Sequence, residues 1–583
     1  MKNMMLLMDF YKVCHRLMYP QNMTKLYSTW TPRSNQYSPE AEKVVWFGLQ
    51  GFLKKLIKDF DEYFFSRDIE EVVEEYEMII HNTFDEMADS THIRELHALG
   101  YLPLKICSLP EGTRVPFRVP CATVENTDKR FAWLTNYLET LWSCSMWLPT
   151  TTATTAYTYR KIIVKYTELT SDNTIWNHVG CGDFSYRGMG SPEAAITSGA
   201  AFLTSFTKTS TIPSIKYLCE YYNADIKNED IGSWSASVEH SCTTSNFAID
   251  GNEEEFFLRM CSEICKDKPF SFVADSYDYF SFLNDILRKN KETVINHKGS
   301  IRIRPDSGDP EKIICGTLKY EDLTSYNYIE SFKDAKETME EIISERVREE
   351  TPHGECGDDS PSDYFKYNDK FYKMTLDIFW NRYDKQYYYM DGVKIRSCEE
   401  VEELSLEQKG SLWILDEIFG HTINSKGYKV LNGNIGIVYG DAITLERCNA
   451  ICSHMKQQGW AIENVVFGVG SFSLQYKTRD SQGWAYKATY GEIDGKPIMI
   501  YKDPKTDRES GHAMKKSQKG RVSVYKNEYG ELEFKDGLYP GMITTCDIKP
   551  WDLNLLQPIF VDGKIIKEES LNDIRQRLHG GKF

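Results

Sequence analysis

Nine residues at the ends of short apolar runs could do chemistry together: Arg187, His240, Asp275, Arg304, Asp306, Gly440, Asp441, Gly468 and Gly470. Arginine offers a bidentate fork to phosphate, and glycine just past a strand lets backbone N–H groups approach phosphate oxygens. Carboxylates beside them can hold ribose hydroxyls or Mg²⁺. A site that combines all three suits a phosphorylated, hydroxylated substrate such as a phosphosugar. Each item also has a plainer reading. Gly468-Val469-Gly470 is a common turn, Arg304-Pro305-Asp306-Ser307-Gly308 could be a turn with a local ion pair, His240 could be a satisfied core histidine, and the run Lys515 to Arg521 reads as a solvated basic loop. Neither a Gly-x-Gly-x-x-Gly dinucleotide fingerprint nor a Walker A loop is present.

The elements that must carry these residues are legible as strands rich in Val, Ile and Phe that end in polar residues or glycine and lead into helical patterns. They are GDFSYRG (182–188), SFVADSYD (271–278), SIRIRPDSGDP (300–310), IGIVYGD (435–441) and NVVFGVGS (464–471). The segment ITLERCNAICSHMKQQGW (443–460) has an amphipathic helical period, with Leu445, Cys448, Ile451 and Cys452 on one face. Strands alternating with helices predict a parallel sheet, in an open doubly wound form or as a β/α barrel. Chemistry-bearing residues just past several strands favour the barrel, where those ends share one face.

The flanks, 1–180 and 476–583, show alternating patterns with breaks at SRD (66–68), NTD (126–128), YGEIDGKP (490–497) and KNEYGELEF (526–534), the punctuation of short antiparallel strands. The expected class is therefore α/β: a β/α-barrel-like catalytic domain over 181–475 and a mixed α+β domain built from an N-terminal part, 1–180, and a C-terminal part, 476–583. A charged module inserted at about 311–428 opens with the helical run ESFKDAKETMEEIISERVREE and continues into aromatic strand-like sequence.

The 583 residues carry 69 Lys+Arg against 86 Asp+Glu, a net charge of −17, which argues against a nucleic-acid binder. At 41% hydrophobic and 13% aromatic, the chain can bury a large core and is not intrinsically disordered. No window approaches the roughly 18 to 20 apolar residues of a membrane span. The apolar start is cut at Asp9 without a small-residue cleavage site, so a cytoplasmic location is expected. The 15 cysteines never form Cys-x-x-Cys and read as reduced thiols, with Cys261/Cys265 and Cys448/Cys452 as buried helix-face pairs.

In order along the chain, DFYKVCHRLMYP, TVENTD with WLTNYLET, DFSYRG, VEHS, DSYD, IRPDSG, YGD, FGVGS with YKTRD, and YKDP resemble the nicotinate/nicotinamide phosphoribosyltransferase family, in particular its nicotinamide branch. The resemblance runs through most of the chain and is silent on the module at 311–428. It implies transfer of a phosphoribosyl group from phosphoribosyl pyrophosphate to nicotinamide in NAD salvage, with Mg²⁺ and ATP as cofactors, in a homodimer whose subunits share active sites, without nucleic-acid or membrane partners. Such a reaction relies on positioned charge more than on a strong nucleophile.

Carried over by motif, Phe184 and Tyr11 would sandwich the pyridine ring, with Tyr11 coming from the other subunit, and Arg187 would hold the carboxamide oxygen. Asp306, Gly440 and Asp441 would take the ribose hydroxyls, and Gly470 and Ser471 the 5′-phosphate. Arg33, Arg304, Arg479, Lys487, Lys502 and Lys515 would neutralise phosphates. His240 matches the histidine that the family phosphorylates from ATP, with Glu239 and Asp275 as its carboxylate partners. Ser210 stands where the nicotinamide enzymes carry an aspartate that accepts the carboxamide NH₂, which leaves selectivity against nicotinate open. Ala485 replaces a phosphate-contacting serine, and the loop Val469 to Ser473 is less glycine-rich than the family's, so weaker phosphate binding is expected. Two alternatives remain: the same fold acting on nicotinate, and a barrel without turnover that binds or regulates.

Overall fold

The computed structural model describes residues 2–84, 89–350, 360–381, 386–389, 395–506, 516–540 and 553–583. By internal contacts the chain forms two compact units, one of residues 1–235, 438–449 and 461–583, the other of 236–437 and 450–460.

In the first unit the flanks share one antiparallel seven-stranded sheet, in the order Lys496–Met499, Ala485–Ile493, Met23–Thr31, Ala122–Asn126, Leu104–Ser108, Gln557–Val561, Lys564–Ile565. The expected break at YGEIDGKP is a hairpin in which Ile493 pairs with Lys496 around Asp494 and Gly495, both at positive φ (48° and 73°), as a tight primed turn requires. KNEYGELEF is likewise the hairpin of Arg521–Lys526 and Leu532–Leu538. SRD differs from expectation, because Ser66 to Asp68 link two helical stretches rather than strands. Leu53, Leu56, Phe60, Phe64, Val72, Val73, Tyr76 and Ile80 recur at helical spacing around it and are all buried.

The five strands read from the sequence are all present, as Cys181–Asp183, Phe270–Val273, Ile301–Arg304, Ile435–Tyr439 and Val465–Val469, and the helix after Asp441 spans Leu445–Gln457. The first unit pairs Cys181–Asp183 in parallel with Val465–Val469, and single parallel bridges join Asp183 to Thr209 and Lys208 to Ser233. In the second unit Ala236–Ser237, Phe270–Val273, Ile301–Arg304 and the first residues of Ile435–Tyr439 lie parallel in that order. Phe270, Phe272, Ile301, Ile303 and Ile437 are fully buried, the continuous apolar pattern of strands covered on both faces. The class is α/β with a parallel half-barrel, as the alternation of strands and helices predicts.

The charged module has its own small core within the second unit. Ala335, Met339, Ile343 and Val347 recur every four residues along the helix Phe332–Glu350 and pack with Phe365, Met374 and Leu376. The latter three lie on an antiparallel pair, Ser362–Tyr367 and Lys370–Leu376, joined by Asn368 and Asp369 at φ 49° and 62°. The charged residues of the run thus form the outer face of a helix whose fourth-residue stripe is apolar. Cys448 and Cys452 are buried on their helix, and Cys261 and Cys265 are buried at a local π-helical turn, Met260–Ile264, and just after it.

The C-terminal helix Leu571–Leu578 is tied to the segments flanking the parallel strands by one buried side chain. Arg575 is 4% exposed and donates to the carbonyls of Leu203 (2.9 and 2.7 Å), Phe206 (3.2 Å), Asp230 (2.7 Å) and Ile231 (2.8 Å). Burial lowers its pKa to about 9, so it remains charged at neutral pH. Arg575→Met removes every one of these donors and leaves buried carbonyls unsatisfied. It is expected to lower the unfolding free energy of this unit by at least about 3 kcal/mol, read by chemical denaturation of the full chain.

Candidate active site

Two clusters gather the residues singled out in the sequence, one in each unit. In the first, Phe184 follows the strand Cys181–Asp183, and its N–H donates to the Val469 carbonyl at 2.9 Å. A side chain at either Gly440 or Gly468 would place a Cβ 2.5 Å from the Phe184 ring, so both strand ends must be glycine for the ring to lie where it does. Trp234 meets the ring edge to face, with centroids 4.8 Å apart. The site therefore presents an aromatic face at the carboxyl ends of parallel strands, between backbone segments that carry no side chains.

Asp183 sets the turn that aims this ring. Its carboxylate is fully buried and accepts from Ser185 N (2.9 Å), Ser185 Oγ (2.6 Å), Thr209 Oγ1 (2.9 Å) and Thr211 Oγ1 (2.6 Å). Its carbonyl accepts from Ser210 N (2.9 Å) and Ser210 Oγ (3.0 Å). Ser210 is exposed, and with its proton committed to that carbonyl its hydroxyl oxygen is left as an acceptor. Arg187 is exposed on the single helical turn Tyr186–Gly188 that follows Phe184.

Gly470 precedes the short helix Ser471–Gln475, and a Cβ at Gly188 would collide with Ser471. The hydroxyls of Tyr159 and Ser473 lie 3.0 Å apart and both stand within hydrogen-bond distance of the Ile443 carbonyl (2.7 and 3.0 Å), so that their two protons are shared among these three oxygens. The loop after Gly470 is thereby fixed to the loop after Asp441. Asp441 itself is exposed.

The basic residues divide. Arg33 and Lys487 line one cavity of about 190 Å³ together with Arg118, Lys516 and Gln518. Burial lowers the Lys487 pKa, Glu139 at 3.6 Å opposes this, and Arg33 and Lys12 add to the lowering. Several cations around so small a space favour an anion there. Arg479 is exposed and pairs with Asp480 (3.2 Å), and Lys502 is exposed. Lys515 lies outside the described residues. Tyr11 is 53% exposed at the start of the helix Lys12–Met18.

In the second unit, His240 begins the helix His240–Asp250, with Glu239 at its N-cap position. His240 Nε2 stands 3.8 Å from both Asp275 Oδ1 and Asp306 Oδ2, while its Nδ1 bonds Ser276 Oγ at 2.9 Å. Asp275 Oδ2 accepts from Asp306 N (2.8 Å) and Ser307 Oγ (2.7 Å), which ties the turn after Ile301–Arg304 to the strand end before it. Arg304 approaches Asp306 at 4.0 Å. Glu239 is exposed and accepts from Ser241 Oγ. Asp275 Oδ1 and Glu253 Oε1 are buried without a hydrogen-bond partner among the described residues. Burial, then Asp275 and Asp278, push the Glu253 carboxyl up to about 7.

His240, Asp275, Arg304 and Asp306 are thus brought together, as are Phe184, Gly440 and Gly468, and Arg33 with Lys487. Sequence reasoning missed Asp183, Lys208, Trp234, Glu253 and Arg118. Only Asp183 had a signal, its place in DFSYRG.

The model of the nicotinamide phosphoribosyltransferase N-terminal domain matches residues 3–106, and that of the nicotinate phosphoribosyltransferase (NAPRTase) family matches 410–538. A nicotinamide phosphoribosyltransferase of Acinetobacter baylyi is 34% identical, covering 98% of this chain and 96% of its own length. A nicotinamide phosphoribosyltransferase of Mycoplasma genitalium is 28% identical over 88% of this chain and 93% of its own. Among solved structures, a nicotinate-nucleotide pyrophosphorylase from Pyrococcus furiosus aligns with 98% of this chain and 93% of its own at 15% identity and a TM-score of 0.46. On the near-complete kinship with the first of these proteins, the chain belongs to the nicotinamide phosphoribosyltransferase family.

Proposed function

We propose that the protein joins nicotinamide to phosphoribosyl pyrophosphate, giving nicotinamide mononucleotide and pyrophosphate in NAD salvage. The observation that carries the reading is the aromatic face of Phe184 framed by glycines at two strand ends, in a chain kin over its whole length to enzymes of that name. The pyridine stacks on Phe184, the Ser210 hydroxyl accepts from the carboxamide NH₂ and Arg187 donates to its oxygen. Gly440 and Asp441 take ribose hydroxyls, and the 5′-phosphate sits at Gly470 and Ser471. Charge leaving on pyrophosphate is met by Arg33, Lys487 and their neighbours, and by Arg479, Lys502 and Lys515. Fixed cations of this kind lower the barrier by stabilising charge that develops only as the bond breaks.

Mg²⁺ fits the donor set. Among the described residues no three His, Cys, Asp or Glu form a closed cage. Mg²⁺ needs only one or two carboxylates when phosphates and water complete its shell, and Asp275, with a buried unbonded oxygen, and Asp306 would hold it. When bound it neutralises phosphate charge. ATP coupling runs through phosphorylation of His240 at Nε2, the nitrogen left open when Nδ1 bonds Ser276. Glu239, exposed and turned to Ser241, has no contact that supports a direct part in that step.

A homodimer in which Tyr11 completes the partner's pyridine slot accords with the exposed apolar residues Phe10, Tyr11, Leu17 and Met18, 53 to 71% accessible. A cytoplasmic location accords with the described cysteines, which are free thiols. No described helix is long and apolar enough to cross a membrane. A barrel that had lost turnover would have little reason to keep Asp275 buried beside Asp306 and His240, since uncompensated buried charge is costly.

Nicotinamide, phosphoribosyl pyrophosphate and Mg²⁺ should yield nicotinamide mononucleotide and pyrophosphate in equal amounts by mass spectrometry and pyrophosphate assay; no product rejects the assignment. His240→Ala should lose ATP hydrolysis at least 100-fold while retaining transfer without ATP. Equal ATPase rates in the variant and parent would remove His240 from that role.

A further inference from the structure

A segment joined to the parallel strands of the first unit by single bridges carries a half-buried cation that the phosphoribosyl chemistry does not use. Lys208 lies two residues before Ser210, and alternation along an extended chain puts the two on one face. On the neighbouring strand the same holds for Gly182 and Phe184. A Cβ at Gly182 would stand 3.1 Å from Lys208 Cβ and 2.5 Å from the Trp234 ring, the ring that contacts Phe184 edge to face. Lys208 therefore sits at the level of Gly182, one inward-facing layer below Phe184 and Ser210, on the floor of the pyridine slot.

Its ammonium donates to Ser233 Oγ at 2.8 Å, the residue before Trp234. No carboxylate of the described residues lies within 4.0 Å of it. Burial lowers its pKa, and Asp230 only partly offsets this. A half-buried ammonium with one neutral hydroxyl partner gains more from an incoming anion than from any group already around it. At the mouth of the slot, Ser210 offers a hydroxyl that carries no charge to repel such an anion.

Resting on the function proposed above, we infer that Lys208 is a specificity-determining residue whose ammonium recognises a ring carboxylate, so that the slot takes nicotinate as a second pyridine base beside nicotinamide. The carboxamide finds its acceptor in Ser210 and does not need the cation. The carboxylate needs the cation because Ser210 donates its only proton to Asp183.

The test is kcat/KM for each base, with saturating phosphoribosyl pyrophosphate, in the parent, Lys208→Gln and Lys208→Arg, alongside equilibrium dialysis of radiolabelled nicotinate against all three. Lys208→Gln should cut nicotinate efficiency at least tenfold and nicotinamide efficiency less than threefold. Lys208→Arg should keep at least a third of the parent's nicotinate efficiency, and dialysis should show nicotinate binding that follows the charge at 208. Equal losses on both bases, which a purely structural lysine would give, overturn the inference, as does a parent that uses nicotinamide but neither turns over nor binds nicotinate. A parent that binds nicotinate through Lys208 yet converts neither base would instead overturn the transferase reading and leave the recognition standing.

Discussion

A carboxylate buried without a counter-cation must be fully hydrogen-bonded or it destabilises the fold, and among the described residues Asp183 is such a group. Its oxygens take four hydrogen bonds from Ser185, Thr209 and Thr211, and its carbonyl takes two more from Ser210. These bonds order the turn that presents Phe184 and lock the adjacent segment that carries Lys208 and Ser210. The glycines at 440 and 468 then leave room for the ring so placed. In the proposed function, recognition of the base thus depends on one fully buried side chain.

The same principle orders the second cluster differently. Asp275 uses one oxygen to hold the turn at Asp306 and Ser307 and leaves the other buried and unbonded beside His240. An unsatisfied buried acceptor is expensive, and it is tolerated where a ligand or ion completes it. Satisfied polar burial therefore orders the turn that presents Phe184, and unsatisfied polar burial marks Asp275 as the place proposed above for phosphate chemistry.

Much of this was legible in the sequence because strand ends announce themselves. Apolar runs closed by Arg-Pro-Asp, Gly-Asp or Gly-x-Gly marked the five strands and the residues that cap them, and the charged run read as helical is the helix Phe332–Glu350. What escaped was whatever depends on segments without periodicity. Lys208 and Trp234 lie in stretches that form only single bridges and carry no alternating pattern, so nothing in the order of residues said that they face inward. Arg118 joins the basic cavity from a loop, at φ 73°, a conformation with no sequence mark outside glycine. Ser66 to Asp68 were misread for the opposite reason: turn-like composition outweighed the helical spacing of the apolar residues on either side.

The central claim is that base recognition depends on the Asp183 network, and the KM for nicotinamide in Asp183→Asn measures it most directly. Asparagine keeps the shape, and the Thr209 and Thr211 hydroxyls can turn to accept from its NH₂, so the fold survives while the charge-assisted bonds, worth about 1.5 to 3 kcal/mol each, are lost. The account predicts a KM at least tenfold higher, about 1.4 kcal/mol of lost binding, in a variant that still folds but melts at a lower temperature. A KM within twofold of the parent would contradict it.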